Sequence, residues 1–469
     1  MVTELGEYDL VVLGSGAAGF AAAIRATELG ASVALVEPGT VGGTCVNTGC
    51  VPSKALLAPA DLLFRAGHHP FAGIATRAEG VDPVALGAAR ADLVERLRCE
   101  RYLEVAETHA FGVLRGRARF EDESTIAVDG RRVTAGAYVV ATGASPVIPP
   151  IDGLAEAEPL TTTSALELTE LPAELVVVGT GPSGLEMGQY FLHLGSRVTF
   201  LECEPRIAPA EEPETSEALQ RVLEESGATV MTGVTVTRVA RDGGRRVLTV
   251  RRDGADRGVA AGAVLVATGR RPNTADIDPA RAGIDVDARG ALRVDGALRT
   301  TNPRVWAAGD VTGHPQLVYL AAREGSLAAS NALLGSTDTL DLRALPRVIF
   351  TSPAAAAAGL TAAQAEERGI PCESRVLSLS AVPRAIVNRD ARGFVKIVAE
   401  SGTGRVLGAS VVAEGAGEVI QAAVYAIQFG VTTAQLAETW APYLTVAEGL
   451  RLAAQTFTRD IGALSCCAA

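Results

Sequence analysis

The chain has 469 residues, 48% apolar and 20% charged, enough for about three domains of ~100 to 200 residues, each with its own core. A net charge of −12 disfavours nucleic acid or an anionic lipid surface as partner, and the absence of any apolar run of about 18 residues argues against a membrane span. Seven cysteines are too few for a disulfide scaffold, so any that pair point to redox or metal chemistry in a reducing compartment.

The N-terminus runs into an apolar strand without a secretory signal, and a cytosolic protein is expected. Residues 8–13 read as a strand, followed by Gly14-Ser-Gly16-Ala17-Ala-Gly19, a helix over 20–29 and a strand over 32–37 that ends in Glu37. The same order recurs at 175–184 with Gly179, Gly181 and Gly184, a helix to Leu194 and a strand over 197–202 ending in Glu202. In both copies the acid falls 23 residues after the first glycine, close to the ~20 expected of a carboxylate that meets a ribose hydroxyl. Bare glycine backbone lets a pyrophosphate reach a helix N-terminus, so two dinucleotides are implied.

Between the copies, Cys45 and Cys50 stand in Gly42-Gly43-Thr44-Cys45-Val-Asn-Thr-Gly-Cys50-Val-Pro52-Ser-Lys54, at the start of a helix that Pro52 suits. The positive end of that helix favours thiolate there. His68-His69 reads as a loop, and Cys99, Cys203 and Cys372 as small buried hydrophobes. Residues 138–143 and 264–269 are strands that end in the same Ala-Thr-Gly turn, one after each dinucleotide unit; the turns contribute Thr142, Gly143 and Gly269. Residues 304–310 form a further strand that ends in Gly309-Asp310, a carboxylate suited to a ribityl or ribose hydroxyl. Glu211-Glu-Pro-Glu214 reads as a solvated turn, and the alanine run 354–358 as tight packing or a helix start. Leu450, Ala454, Phe457, Ile461 and Leu464 recur at helical spacing before a tail that carries adjacent Cys466 and Cys467. Neighbouring Cα atoms ~3.8 Å apart are too close for an unstrained disulfide but suit a two-thiolate clamp.

Together these motifs resemble the pyridine nucleotide-disulfide oxidoreductases over nearly the whole chain. The resemblance implies an α/β fold with two nested Rossmann-like dinucleotide-binding domains and a C-terminal α+β dimerisation domain. Its expected boundaries are 1–150 for FAD (completed by 270–345), 151–269 for NAD(P)H and 346–469 for dimerisation. It also implies that Cys45 and Cys50 form a redox-active disulfide, Cys50 on the flavin side and Cys45 on the substrate side, that Lys54 pairs with Glu186, and that Gly43, Thr44, Lys54 and Ala118 join the cofactor contacts.

Disulfide-reducing members place a histidine where this chain has Tyr443, and His314 is the last histidine. With an unperturbed pKa near ~10, tyrosine is a poor general base at neutral pH. A soft metal ion held by thiolates needs electrons but no proton on a leaving atom. Residues 381–389, 441–445 and the terminal Leu-Ser-Cys-Cys resemble the mercury-reducing members of the family. That likeness implies a homodimer in which Tyr443, Cys466 and Cys467 face Cys45 and Cys50 of the partner subunit. The same likeness implies that the tail hands Hg(II) to the inner pair for two-electron reduction to Hg(0).

Three departures matter. Many such members carry an N-terminal metal-binding module, whereas the first strand here begins near Tyr8, so the tail is expected to take metal from solution or small thiols. Pro182 stands where a tyrosine often covers the nicotinamide pocket. Glu202 favours NADH, while Arg197 and Arg206 leave NADPH open. The rival readings are a reductase of a small disulfide such as dihydrolipoamide, and a flavoprotein that sequesters metal without turnover.

Overall fold

Short apolar strands alternating with helices build parallel sheets when both faces of the sheet are covered. A computed structural model describes residues 4–460 and divides the chain into two units. The first contains residues up to Ala55 together with Val84–Val147 and Gly269–Leu340; the second contains the remainder.

In the first unit, strand Glu4–Leu13 lies parallel between Val33–Glu37 and Arg131–Val140, and Gly112–Arg115 and Val305–Ala307 extend the parallel set. Thr125–Val128 and Ala118–Phe120 add antiparallel strands. Alternate residues of the first strand feed two cores. Leu10 and Val12 pack with the helix residues Ala22, Ala26 and Ala328, while Val11 and Leu13 pack with Phe120, Ile126 and Val305. Burial of each such large side chain contributes roughly 1.5 to 3 kcal/mol. Helices Ala17–Glu28 and Val318–Leu334 cross so closely that a Cβ on Gly325 would lie 2.0 Å from the Ala18 carbonyl oxygen.

The second unit contains a parallel sheet ordered Thr229–Met231, Arg197–Leu201, Glu174–Val178, Ala263–Val266 and Leu160–Thr161, with a three-stranded antiparallel meander over 235–261. It also holds an antiparallel sheet ordered Pro346–Ile349, Ala354–Gly359, Val406–Ala413, Phe394–Glu400 and Cys372–Ser378, covered by helices Ala416–Gln428 and Glu448–Gln455. The alanine run is thus a strand, not a helix start. Ala356 and Ala358 share a core with Val419, Ile420 and Ala423, where small side chains admit the helix. The last helix stops at Gln455, short of the predicted span, and Phe457 packs back beneath Arg375. Ile461, Leu464, Cys466 and Cys467 lie outside the described residues. Among the described residues no helix is long and apolar enough to cross a membrane.

Candidate active site

The two glycine motifs can be tested for a phosphate by asking what a side chain would strike. At Gly14, with φ +107°, a Cβ would lie 2.4 Å from the Ala141 oxygen, and at Gly19 it would lie 1.9 Å from the Gly14 oxygen. At Gly16, which caps helix Ala17–Glu28, the nearest atom is the Gly43 Cα at 3.9 Å. The second copy repeats the pattern: Gly179 and Gly184 are blocked at 2.6 and 2.1 Å, and Gly181 meets nothing within 4 Å. The outer glycines therefore make the turn and the helix–strand packing, and the middle one leaves open backbone at a helix N-terminus. This fits a diphosphate in each copy.

Both acids are held by the residue that follows the first glycine. Ser15 donates its N–H and hydroxyl to Glu37 Oε2 at 3.1 and 2.6 Å, and the Gly39 N–H reaches Oε1 at 2.7 Å. Thr180 does the same to Glu202 Oε2 at 2.9 and 2.5 Å, and the Glu204 N–H reaches Oε1 at 3.1 Å. Burial works to raise the Glu202 carboxyl, but the bonds from Thr180 and Glu204 hold it below its ordinary value, so it stays charged. Ser15 also accepts from the Gly42 N–H at 3.1 Å, which joins the first motif to the cysteine segment.

In that segment, the short helix Gly43–Asn47 carries Cys45, and Cys50 is the first residue of helix Cys50–Gly67. Gly43 must be glycine, because at φ +64° its Cβ would fall 2.4 Å from Gly16 Cα. Asn47 donates to the Val41 and Gly43 carbonyls and accepts from Arg98 at 3.3 Å, which braces the turn. The expectation of two activated thiols is corrected. Cys45 is pushed well above the ordinary thiol range by its hydrogen bond with Cys50, by burial and by the charge of Cys50, against a weaker pull from Lys54. Cys45 therefore keeps its proton at neutral pH, while Cys50 stands in the first turn of its helix.

Tyr102 escaped the sequence reading. It lies in a π-turn over Cys99–Leu103, packs edge-on to Phe20 at 4.8 Å and is pushed up to about 12 by burial and then by Cys45 and Cys50. π-turns are frequent at functional sites. Arg270 was also missed. From strand Arg270–Pro272 it donates to the Ala144 carbonyl, reaches Thr44 Oγ1 at 3.4 Å and stands 3.9 Å from Asp310. This half-buried cation beside the open Gly16–Gly43 backbone suits a diphosphate. The strands Ala144–Pro146 and Arg270–Pro272, which follow the two Ala-Thr-Gly turns, pair here: Thr142 donates to the Asn273 carbonyl at 2.7 Å, the Asn273 N–H reaches the Gly143 carbonyl, and the Val147 N–H reaches the Gly269 carbonyl. Gly143 and Gly269 both have positive φ with nothing within 4 Å. Ala118 opens the strand Ala118–Phe120.

In the second unit, Glu186 is buried on helix Pro182–His193 and accepts from the Phe350 N–H at 2.9 Å, and Gln189 clasps both backbone groups of Ser352. Pro182 is the first residue of that helix, where a missing N–H costs nothing. Arg206 is occupied by the Pro209 and Glu211 carbonyls and Ser216, and Arg197 pairs with Glu174 at 2.5 Å. The Glu211–Glu214 stretch is not a solvated turn. Glu211 pairs with Arg347 at 2.7 Å, and Lys396 sits 3.0 and 2.9 Å from the buried Glu212 and from Glu214. Nor is Cys203 a buried hydrophobe: it is exposed beside Glu202, while Cys99 and Cys372 are half-buried. Tyr443 is half-exposed in a loop whose next residue, Leu444, has φ +60°.

Residues 8–325 match the pyridine nucleotide-disulphide oxidoreductase model, and residues 345–454 match the dimerisation domain of the same enzymes. A mercuric reductase from Streptomyces lividans is 50% identical over 98% of both chains, and one from Bacillus cereus is 46% identical over 98% of this chain and 73% of its own. The chain belongs to the mercuric reductase family of pyridine nucleotide-disulphide oxidoreductases. Among solved structures, the Cu(II) complex of the HOCl-induced flavoprotein disulfide reductase RclA from Escherichia coli has a TM-score of 0.86 at 29% identity, covering 97% of this chain and all of its own. LpdA from Mycobacterium tuberculosis reaches 0.85 at 28% with the same coverage. The family implies FAD and NAD(P)H, for which the two open glycine faces provide the seats.

Proposed function

We propose that the chain reduces Hg(II) to Hg(0) with NAD(P)H in the cytosol, as a homodimer whose active site is shared between subunits. The observation that carries this reading is the coupled pair Cys45 and Cys50 beside a dinucleotide seat, in a chain with no histidine after His314 to serve a departing thiol. Gly14 to Gly19, Glu37, Gly43, Thr44, Ala118, Thr142, Gly143, Arg270 and Asp310 would hold FAD, and Gly179 to Gly184, Glu202 and Gly269 the nicotinamide cofactor. FAD, when bound, supplies the two-electron relay from NAD(P)H to the cysteine pair.

The residues do the rest. Cys45, on the substrate side, and Cys50 bind the ion as thiolates, and Cys45 releases its proton as its sulfur binds, because thiolate is the metal ligand. In this reading Cys466 and Cys467 deliver Hg(II) from small-thiol complexes by ligand exchange, Tyr443 of the partner subunit lines the entry, and Lys54 with Glu186 forms an ion pair near the flavin. NADH is the favoured donor. The charged Glu202 repels a 2′-phosphate, and the guanidiniums of Arg197 and Arg206 are already engaged.

Adding Hg(II) with excess small thiol to the FAD-loaded protein should give sustained NADH oxidation and volatile mercury. A stoichiometric burst that stops means sequestration. Equal turnover of a small cyclic disulfide means a disulfide reductase, as RclA is named. Undiminished turnover of thiol-bound metal by the Cys466→Ala, Cys467→Ala double variant would remove the delivery role of the tail.

A further inference from the structure

Residues 309–314 carry an arrangement that the proposed chemistry does not use. Glu324, on helix Val318–Leu334, is 1% exposed; its Oε2 accepts from the Gly309 N–H at 2.7 Å, and its Oε1 lies 2.6 Å from His314 Nδ1. Between these anchors the chain makes the 3-10 turn Asp310–Thr312, in which Thr312 donates to the Gly309 carbonyl at 2.8 Å and accepts from the His314 N–H at 3.3 Å. One buried carboxylate therefore ties both ends of the turn that presents Asp310. Gly309 has little freedom to slide, because a Cβ there would lie 3.2 and 3.3 Å from the Cβ atoms of Ala18 and Ala321.

A carboxylate this deep is costly unless it is paired and hydrogen-bonded. His314 supplies the pairing cation and, with a side chain 36% exposed, can exchange its proton with solvent. The charged groups around this turn are Glu324 from the helix, Asp310 in the turn itself and Arg270 from strand Arg270–Pro272, 3.9 Å from Asp310.

We propose that His314 and Glu324 form a positioning pair that holds Asp310 against the sugar-like chain of the flavin cofactor, so that flavin retention follows the protonation of His314. The inference rests on the reading of the first unit as an FAD seat. The hydrogen bond to Glu324 raises the His314 pKa against the opposing effect of burial. A raised folded-state pKa gives stabilisation that is complete below the ordinary value of ~6.5 and is lost as pH rises through the raised one.

The test is the rate at which the holoprotein releases flavin, followed by free-flavin fluorescence from pH 5.5 to 9.5. Wild type should release flavin about tenfold faster at the alkaline end, the scale expected for losing one charge-assisted hydrogen bond. His314→Gln should release fast at every pH, and His314→Lys, with its cation retained, slowly until far more alkaline pH. If His314→Gln does not fold, the His314→Gln, Glu324→Gln double variant, which no longer buries a charge, should show a flat profile. A flat wild-type profile, or a wild-type profile in any His314→Gln protein, overturns the pairing. Protein that takes up no flavin at any pH overturns the FAD reading instead.

Discussion

Replacing Gly181 by alanine separates the fold from the function of the second glycine motif. Gly181 sits at φ −65°, ψ 177°, a conformation open to any L-residue, and a Cβ there meets no atom within 4 Å. Alanine should therefore leave the fold intact or stabilise it by about 0.4 to 1 kcal/mol, through the smaller entropy of the unfolded chain. The added methyl occupies the face against which the nicotinamide cofactor's diphosphate must rest. Loss of one backbone hydrogen bond to a charged group costs about 1.5 to 3 kcal/mol, so KM for NADH should rise ~10- to 150-fold. Gly184→Ala is the opposite case: its Cβ falls 2.1 Å from the Gly179 oxygen and 3.2 Å from Ala267 Cβ, so the helix start must move. Overpacking of this kind costs about 1 to 3 kcal/mol. Thermal unfolding and steady-state KM measured on both variants, with flavin content as the control for the first unit, make the comparison. A Gly181→Ala protein that loses as much Tm as Gly184→Ala, or binds NADH like wild type, refutes the assignment.

Glu202→Gln should raise kcat/KM for NADPH about tenfold or more while keeping the bonds from Thr180, since like charges a few Å apart near a surface repel by a few kcal/mol; an unchanged NADH-to-NADPH ratio would count against the repulsion. In fully reduced protein, alkylation followed by mass spectrometry should find the exposed Cys50 modified before Cys45, whose pKa is raised, and Cys50→Ser should move Cys45 modification to lower pH; the reverse order would sink the protonated Cys45. Lys396→Met strands the buried Glu212 carboxylate and should cost about 3 to 5 kcal/mol in denaturant unfolding. His193, buried with a pKa lowered to about 4 chiefly by desolvation, is held neutral. Its lowered value means stability is full above pH ~6.5 and falls by up to ~1.4 kcal/mol per pH unit towards pH 4, a slope that His193→Gln should flatten in urea titrations.

The glycine motifs and their acids were legible because a strand, a tight turn and a helix N-terminus are local, and local geometry leaves a spacing in the sequence. Ser15 and Thr180 were readable in principle, as hydroxyl residues that follow the first glycine in both copies. Arg270 and Glu324 were not, because each acts on groups that only the folded sheet brings near. The acids at Glu211 and Glu212 looked solvated for the same reason: their partners Arg347 and Lys396 lie far along the chain. At Ala354–Gly359 the helix preference of alanine lost to a sheet position that demands small side chains. The start of helix Cys50–Gly67 was visible in Pro52, but the raised pKa of Cys45 arises from its contact with Cys50 and its burial, which spacing does not encode.

The two nucleotide seats are wired nearly alike, but their middle glycines face different surroundings. A side chain added at Gly16 would lie 3.9 Å from the Gly43 Cα, part of the cysteine segment, whereas one added at Gly181 would meet nothing within 4 Å. A group resting on Gly16 therefore also borders the segment that carries Cys45, so a shift of that segment's backbone would be felt there, while Gly181 has no such neighbour.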